Sequence, residues 1–167
     1  YEAEAVGGVR VAVKRIFRSA DHPASQNEIQ ALESLKLLRH IHLTSIHTFW
    51  LAEDRLVIVM DLADGTLHDR IDYHQKRGLE GVPPAELIPF IEEAAEALDY
   101  LHGQMVTHRD VKPKNLLHLG GHAKVADFGL AREQSGEVTL VAYEVGTPAY
   151  MAPEVQGGKV GFRSDQY

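Results

Sequence analysis

The chain has 167 residues, enough for one domain or two small lobes around a buried core. Its composition, with 44% hydrophobic and 25% charged residues, is that of an ordinary globular protein. The formal net charge of −7 argues against a nucleic-acid partner, because binding to a phosphate backbone needs clustered Lys and Arg. The absence of cysteine excludes disulfides, thiol catalysis and zinc clusters built on Cys.

The sequence also lacks membrane and export signals. No run approaches the roughly 18 apolar residues that cross a membrane, and no signal-peptide pattern stands at the start. We therefore predict a cytoplasmic location, with any membrane anchor outside this segment. The chain begins without Met and stops just after Ser-Asp-Gln, so we expect both ends to be cut from a longer protein.

The first element predicted along the chain is a β-hairpin over residues 1–17. Two glycines, Gly7 and Gly8, form its turn, and alternating apolar and polar residues follow them. The two-residue period places Lys14 on the same face as the small Ala12. Something flat could lie against that face.

A helix and two strands are predicted next. The helix runs from about Ser25 to His40, where apolar residues recur at three-to-four spacing. Ser25 is its expected N-cap, with Glu28 three residues on. Strands are expected at 45–51 and 55–61, and the second is apolar almost throughout and so buried on both faces.

The chain turns helical after a break at residues 63–65. One helix is predicted at about 66–77, and a longer one ends near His102. Pro89 is awkward inside the longer helix, because a helix tolerates proline only in its first turn. The longer helix should therefore either begin near residue 88 or be kinked there.

A second hairpin is predicted at 116–126, with Gly120 and Gly121 at its turn, and 130–150 is predicted to be a long exposed loop. These elements indicate an α+β chain. A β-rich lobe of about 60 residues is followed by a short connector and a mainly helical lobe.

The chemistry is concentrated between residues 108 and 129. The sequence there reads His-Arg-Asp-Val-Lys-Pro-Lys-Asn at 108–115 and Asp-Phe-Gly at 127–129. Two acids, one cation and one amide fall within about twenty residues: Asp110, Lys112, Asn115 and Asp127. This set can activate a hydroxyl and hold a metal-bound triphosphate.

These motifs resemble those of the eukaryotic-type serine/threonine protein kinase domain, in the form that bacteria carry. The resemblance covers essentially the whole chain and rests on five motifs in family order: Val11–Lys14, His108–Asn115, Asp127–Gly129, Gly146–Tyr150 and Ala152–Glu154. It implies an incomplete bilobal kinase fold. Residues 1–60 would be the N-lobe, 61–66 the hinge, and 67–167 a partial C-lobe that stops where its central helix starts.

The resemblance implies transfer of phosphate from ATP to Ser or Thr hydroxyls of a protein substrate, with Mg²⁺. Asp110 would be the base that accepts or orients the hydroxyl proton. Lys112 would neutralise charge on the transferring phosphoryl group. Asn115 and Asp127 would be the metal ligands, and Lys14 would hold the α- and β-phosphates.

Two further roles follow from the resemblance. A helix glutamate should orient Lys14, and Glu28 is favoured over Glu33 because its surrounding sequence is closer to the family pattern. Thr147 should line the site of the substrate hydroxyl, beside Asp110 and Lys112.

For adenine, the resemblance makes Met60 the gatekeeper and gives the backbone contacts to Asp61 and Ala63 of the hinge. Ala12 and Leu117 would sandwich the base, in agreement with the flat face expected near Ala12.

The resemblance also implies control by phosphorylation. Arg109 would pair with a phosphorylated residue in the segment that follows, and the candidates are Ser135, Thr139 and Tyr143, with Thr139 preferred. His108 is expected to be a packing residue.

Two parts of the family pattern are missing, namely the glycine-rich phosphate loop, expected before Tyr1, and the large helices expected from Asp165 onward. We therefore expect this stretch alone to be unstable or inactive. The alternatives to an active kinase are a nucleotide-binding pseudokinase or an inactive truncated fragment.

Overall fold

A computed structural model of the chain describes residues 1–16, 29, 32–33, 35–127, 132–133, 147–156 and 160–167. Within these ranges, none of the helices combines the length and the apolar character needed to cross a membrane. The described residues form a β-sheet followed by a mainly helical part, as the α+β prediction required.

The N-terminal part is a four-stranded antiparallel sheet. Its strands are β1 (Glu2–Glu4), β2 (Arg10–Arg15), β3 (Ile46–Ala52) and β4 (Arg55–Asp61). They stand in the order β1-β2-β4-β3. The predicted hairpin at the start is confirmed, and its turn glycines have φ of +97° and +81°, a region that L side chains rarely adopt.

Strand β4 lies inside the sheet, between β2 and β3. Leu56, Val57 and Ile58 are all buried, so the predicted burial on both faces is confirmed for this half of the strand. Leu32 packs against Leu56 and Ile58, which places the preceding helical residues over one face of the sheet.

The predicted helix at 25–40 ends earlier than expected. Ile29, Leu32, Glu33 and Leu35 are helical, and a turn follows at residues 36–37. The end at His40 is wrong because the chain leaves the helix to carry Leu43 into the core. The first turn of this helix, with Ser25 and Glu28, lies outside the described residues.

Three helices are present in the described C-terminal part. Helix α1 spans Leu67–Gln75, α2 spans Pro84–Gly103 and α3 spans Pro153–Gln156. The first two match the predicted pair of helices. Helix α2 begins at Pro84, where the fixed φ of proline favours a helix start, so the predicted start near residue 88 is wrong and Pro89 lies inside the helix.

Two small sheets complete the C-terminal part. Strands β5 (Gly65–Thr66), β7 (Leu116–Leu119) and β8 (His122–Val125) form one, which contains the predicted second hairpin. Strand β6 (Val106–Thr107) pairs with β9 (Arg132–Glu133) in the other. The predicted loop at 130–150 is therefore wrong at β9, and residues 148–150 form a 3₁₀ turn. A two-residue strand has no periodicity to reveal it.

The two parts share a hydrophobic core. Leu35 and Leu43 pack with Leu101 of α2 and Val125 of β8. The backbone joins them as well, because the Thr44 N–H donates to the Val125 carbonyl at 3.0 Å and the Val125 N–H donates to the His42 carbonyl at 2.8 Å. The site described next lies between two parts that are packed against each other.

Candidate active site

Asp110 lies in the loop between β6 and β7, and its carboxylate is bound by three side chains. Lys112 Nζ donates to Oδ2 at 2.6 Å and Asn115 Nδ2 donates to the same oxygen at 3.0 Å. The Thr147 hydroxyl donates to Oδ1 at 3.1 Å. The Asp110 side chain is only 10% exposed, so these donors replace most of its contact with water.

Thr147 comes from a segment 37 residues further along the chain. Lys112 Nζ also donates to its hydroxyl oxygen, at 2.8 Å. Asp110, Lys112 and Thr147 therefore form a closed triangle of hydrogen bonds. The sequence predicted that these three side chains would lie together, and the structure places them so.

A second pair of predicted residues meets across 113 positions of sequence. Lys14 Nζ, on β2, lies 2.6 Å from Asp127 Oδ1, just beyond β8. Asp127 has φ of +67°, a left-handed conformation that Asp adopts more readily than most residues. The Ala126 N–H donates to the Asn115 carbonyl at 2.9 Å, so the loop of Asp110 and the segment of Asp127 are held side by side.

His108 connects these two segments. It is fully buried, and its Nε2 lies 2.9 Å from the Ala126 carbonyl. A carbonyl can only accept, so Nε2 carries the proton and Nδ1 is left to accept the Asp110 N–H at 3.3 Å. His108 therefore positions the loop with both ring nitrogens, beyond the packing role predicted for it.

Asp165 binds the start of the loop that carries Asp110. Its buried carboxylate accepts the backbone N–H of His108 at 2.8 Å and that of Arg109 at 2.7 Å. His102 Nε2 lies 2.8 Å from it as well. Arg109 has φ of +71°, which a non-glycine residue keeps only when its surroundings enforce it. Sequence reasoning missed this role, since no local pattern links positions 57 apart.

The residues predicted for adenine lie in both parts of the molecule. Ala12 and Met60 are partners across β2 and β4, and both are half-buried. Asp61 ends β4, and Ala63 follows it. Leu117 lies on β7 in the other part of the molecule. The enclosure of a base between Ala12 and Leu117 stays a prediction.

The predicted metal ligands have suitable chemistry. Asn115 Nδ2 donates to the Asp110 backbone carbonyl at 2.8 Å, so the amide oxygen is the end that could bind a cation. Asp127 supplies a carboxylate. Mg²⁺ prefers oxygen ligands and is held in such sites by one or two carboxylates together with phosphate oxygens and water. The donor set of Asn115 and Asp127 fits that ion.

Several predicted residues lie outside the described part of the chain. These are Glu28, the preferred partner of Lys14, and the three candidate phosphorylation sites Ser135, Thr139 and Tyr143. Glu33, the alternative partner, is exposed. The choice between the two glutamates stays a prediction.

The sequence matches the family model for the protein kinase domain over residues 3–167. Three similar proteins are a serine/threonine-protein kinase, cds1, of Schizosaccharomyces pombe, a serine/threonine-protein kinase, PknF, of Mycobacterium tuberculosis, and a receptor-like kinase, TMK2, of Arabidopsis thaliana. The first is 33% identical over 147 aligned positions, which cover 87% of this chain and 31% of that protein.

The mycobacterial protein is 36% identical over 138 aligned positions, which cover 78% of this chain and 29% of that protein. The plant protein is 34% identical over 176 aligned positions, which cover 100% of this chain and 20% of that protein. The chain thus spans less than a third of each relative. Because the three come from a fungus, a bacterium and a plant, the bacterial origin stays a prediction.

Proposed function

Because this chain belongs to the protein kinase domain family, we propose that it is part of an enzyme that transfers phosphate from ATP to Ser and Thr hydroxyls of protein substrates. The observation that carries the proposal is the Asp110 carboxylate held between Lys112, Asn115 and Thr147. A carboxylate in a fixed position beside a cation and a hydroxyl is suited to deprotonate an incoming alcohol.

In the proposed reaction, the substrate hydroxyl forms a bond to the γ-phosphorus of ATP while the bond from that phosphorus to ADP breaks. The hydroxyl proton passes to Asp110. Lys112, 2.6 Å from Asp110, balances the negative charge that spreads over the transferring group. Thr147 bonds to both Asp110 and Lys112 and keeps these two side chains aligned with the acceptor hydroxyl.

The opposite wall of the proposed site is formed by Lys14, Asp127 and Asn115. Lys14 would bind phosphate oxygens, and Glu28 is the proposed partner that orients it. Asn115 and Asp127 would hold Mg²⁺, which supplies positive charge to the phosphates when bound. Ala12, Met60, Asp61, Ala63 and Leu117 would form the adenine site.

The family resemblance associates a lysine at the position of Lys112 with the branch that phosphorylates Ser and Thr. Lys112 bonds here to Thr147, which supports Ser and Thr as the acceptors. Two of the similar proteins carry the name serine/threonine-protein kinase. We further propose that Arg109 pairs with a phosphorylated residue at Thr139, Ser135 or Tyr143. The cytoplasmic location and the absence of a nucleic-acid partner stay predictions.

The test is the rate of phosphoryl transfer by the complete protein and by its Asp110→Ala variant. We expect loss of the base to slow transfer by about 10²- to 10⁴-fold. Transfer is measured with radiolabelled ATP on a mixture of proteins, followed by identification of the phosphorylated amino acids. Asp99→Ala, exposed on α2, is the matched control and should retain the wild-type rate.

Two results would contradict the proposal. Equal rates for wild type and Asp110→Ala would remove Asp110 from the reaction. A wild-type protein that binds ATP and Mg²⁺ but transfers no phosphate would indicate a pseudokinase instead.

A further inference from the structure

The side chain of Asp61, at the end of β4, lies in a cluster of polar groups. Its carboxylate accepts the Ser45 N–H on Oδ2 at 3.0 Å. His47 Nε2 lies 3.0 Å from Oδ1, and Lys124 Nζ lies 4.0 Å from Oδ2. The Asp61 side chain is 21% exposed, so its interactions are made mostly with protein.

Ser45 also fixes the backbone of Asp61. Its N–H donates to the Ser45 carbonyl at 3.2 Å, while the Ser45 N–H donates to its carboxylate. This reciprocal pair restrains both the main chain and the side chain of Asp61. The β3–β4 register shifts between Ile46 and Thr48, so His47 is the extra residue of a bulge. Bulges redirect side chains, and here the bulged residue contacts Asp61.

Lys124 brings the C-terminal part of the molecule into the cluster. It lies on β8, and its Nζ also donates to the Leu43 carbonyl at 3.4 Å. Its cross-strand partner on β7 is Leu117, one of the proposed walls of the adenine site. The Asp61 carboxylate therefore has partners on both sides of the hinge.

From these contacts we propose that the Asp61 side chain is a positioning residue that holds the hinge backbone in the conformation that binds adenine. The inference rests on the proposed function, which assigns the adenine contacts to the backbone of Asp61 and Ala63. If only a fraction of molecules keep the competent hinge, the apparent Kd rises by the inverse of that fraction. The phosphate-transferring groups are on other segments, so nucleotide affinity should fall more than the transfer rate.

The experiment measures the binding of a non-hydrolysable ATP analogue with Mg²⁺ to the complete protein by calorimetry. We expect Asp61→Ala to weaken binding about tenfold. The affinity of Asp61→Asn should lie between those of wild type and Asp61→Ala, because its amide oxygen can still accept the Ser45 N–H. Lys124→Met should weaken binding about threefold, and Asp99→Ala should bind like wild type.

A second readout separates positioning from general destabilisation. With adenosine as the probe, Asp61→Ala should show a similar loss, whereas with inorganic tripolyphosphate it should bind like wild type. A loss of equal size with both probes would overturn the proposal. So would wild-type affinity for the ATP analogue in Asp61→Ala, or, if that variant does not fold, in both Asp61→Asn and Lys124→Met.

The outcome is separable from that of the proposed function. A wild-type protein that binds the analogue but transfers no phosphate would refute the kinase proposal, while the affinities of the variants would still decide the role of Asp61. In an active enzyme, Asp61→Ala should raise KM for ATP more than it lowers kcat.

Discussion

The Thr147 hydroxyl is a single group on which two charged side chains of the site depend. It donates to Asp110 and accepts from Lys112, so its removal breaks two charge-assisted hydrogen bonds. Such bonds contribute about 1.5–3 kcal/mol each. Lys112 and Asp110 still bond to each other without the hydroxyl, so the loss should be near that of one such bond. We expect Thr147→Ala and the isosteric Thr147→Val to lower kcat by about 10- to 100-fold, measured with a saturating Ser-containing peptide.

Thr147→Ser is the matched control, because it keeps the hydroxyl and loses only a methyl group. It should remain within about threefold of wild type. A Thr147→Val enzyme as fast as wild type would show that the triangle of hydrogen bonds has no part in transfer.

At this scale, the sequence predicts best the residues that share a short motif. Asp110, Lys112 and Asn115 lie within six positions, and one loop brings them together. The contacts of Asp165 with the catalytic loop, and the groups that bind the Asp61 carboxylate, could not be predicted in the same way. Their contacts join positions far apart in sequence, and nothing local marks a buried acid among the many exposed ones.

At the scale of elements, Glu86 joins helices α1 and α2. It accepts from Arg70 Nε of α1 at 2.7 Å and lies 3.0 Å from His74 Nε2. The hydrogen bond from Arg70 lowers the pKa of Glu86 below its ordinary value, against the opposing effect of burial. A lowered carboxyl pKa stabilises the fold above the unfolded pKa, and this contribution is lost as pH falls through the folded one.

We therefore expect Glu86→Gln to lower the free energy of unfolding at pH 7 by about 0.5–1 kcal/mol, as for a surface ion pair. The difference from wild type should shrink as pH falls from the ordinary glutamate pKa through the lowered pKa of folded Glu86, because the wild-type carboxyl then becomes protonated as well. Urea unfolding over a pH series that starts at 7 and descends through the acid range measures this difference. Glu92→Gln, exposed on the same helix, should show no such pH dependence, and a constant Glu86→Gln difference would contradict the argument.

Element types were easier to predict than element limits. A continuous apolar run identified β4, and periodicity identified α2, whose buried face repeats at a regular spacing. It failed at the C-terminal end of the helix before His40, where a tertiary contact of Leu43 sets the boundary. It also failed at β9, a two-residue strand that is recognised by its pairing with β6.

For the whole molecule, the sequence predicts two lobes, and the structure adds that the first lobe is anchored in the core of the second. Leu43 is 5% exposed and packs with Leu101 and Val125, and the backbone next to it is bonded to β8. This segment carries no motif. Local sequence patterns therefore predict only a connector between a helix and a strand at this segment.

The hydrophobic packing around Leu43, which the two lobes share, should couple the stability of one lobe to that of the other. Leu43→Ala creates a cavity in the shared core and should cost about 2–5 kcal/mol. In hydrogen exchange followed by mass spectrometry, we expect faster exchange in both β4 and α2, since both lobes lose the same packing. Leu37→Ala is the matched control, because Leu37 is 74% exposed, and it should change stability by less than about 0.5 kcal/mol. Faster exchange confined to β4 would mean that the lobes unfold independently and that the packing around Leu43 does not couple them.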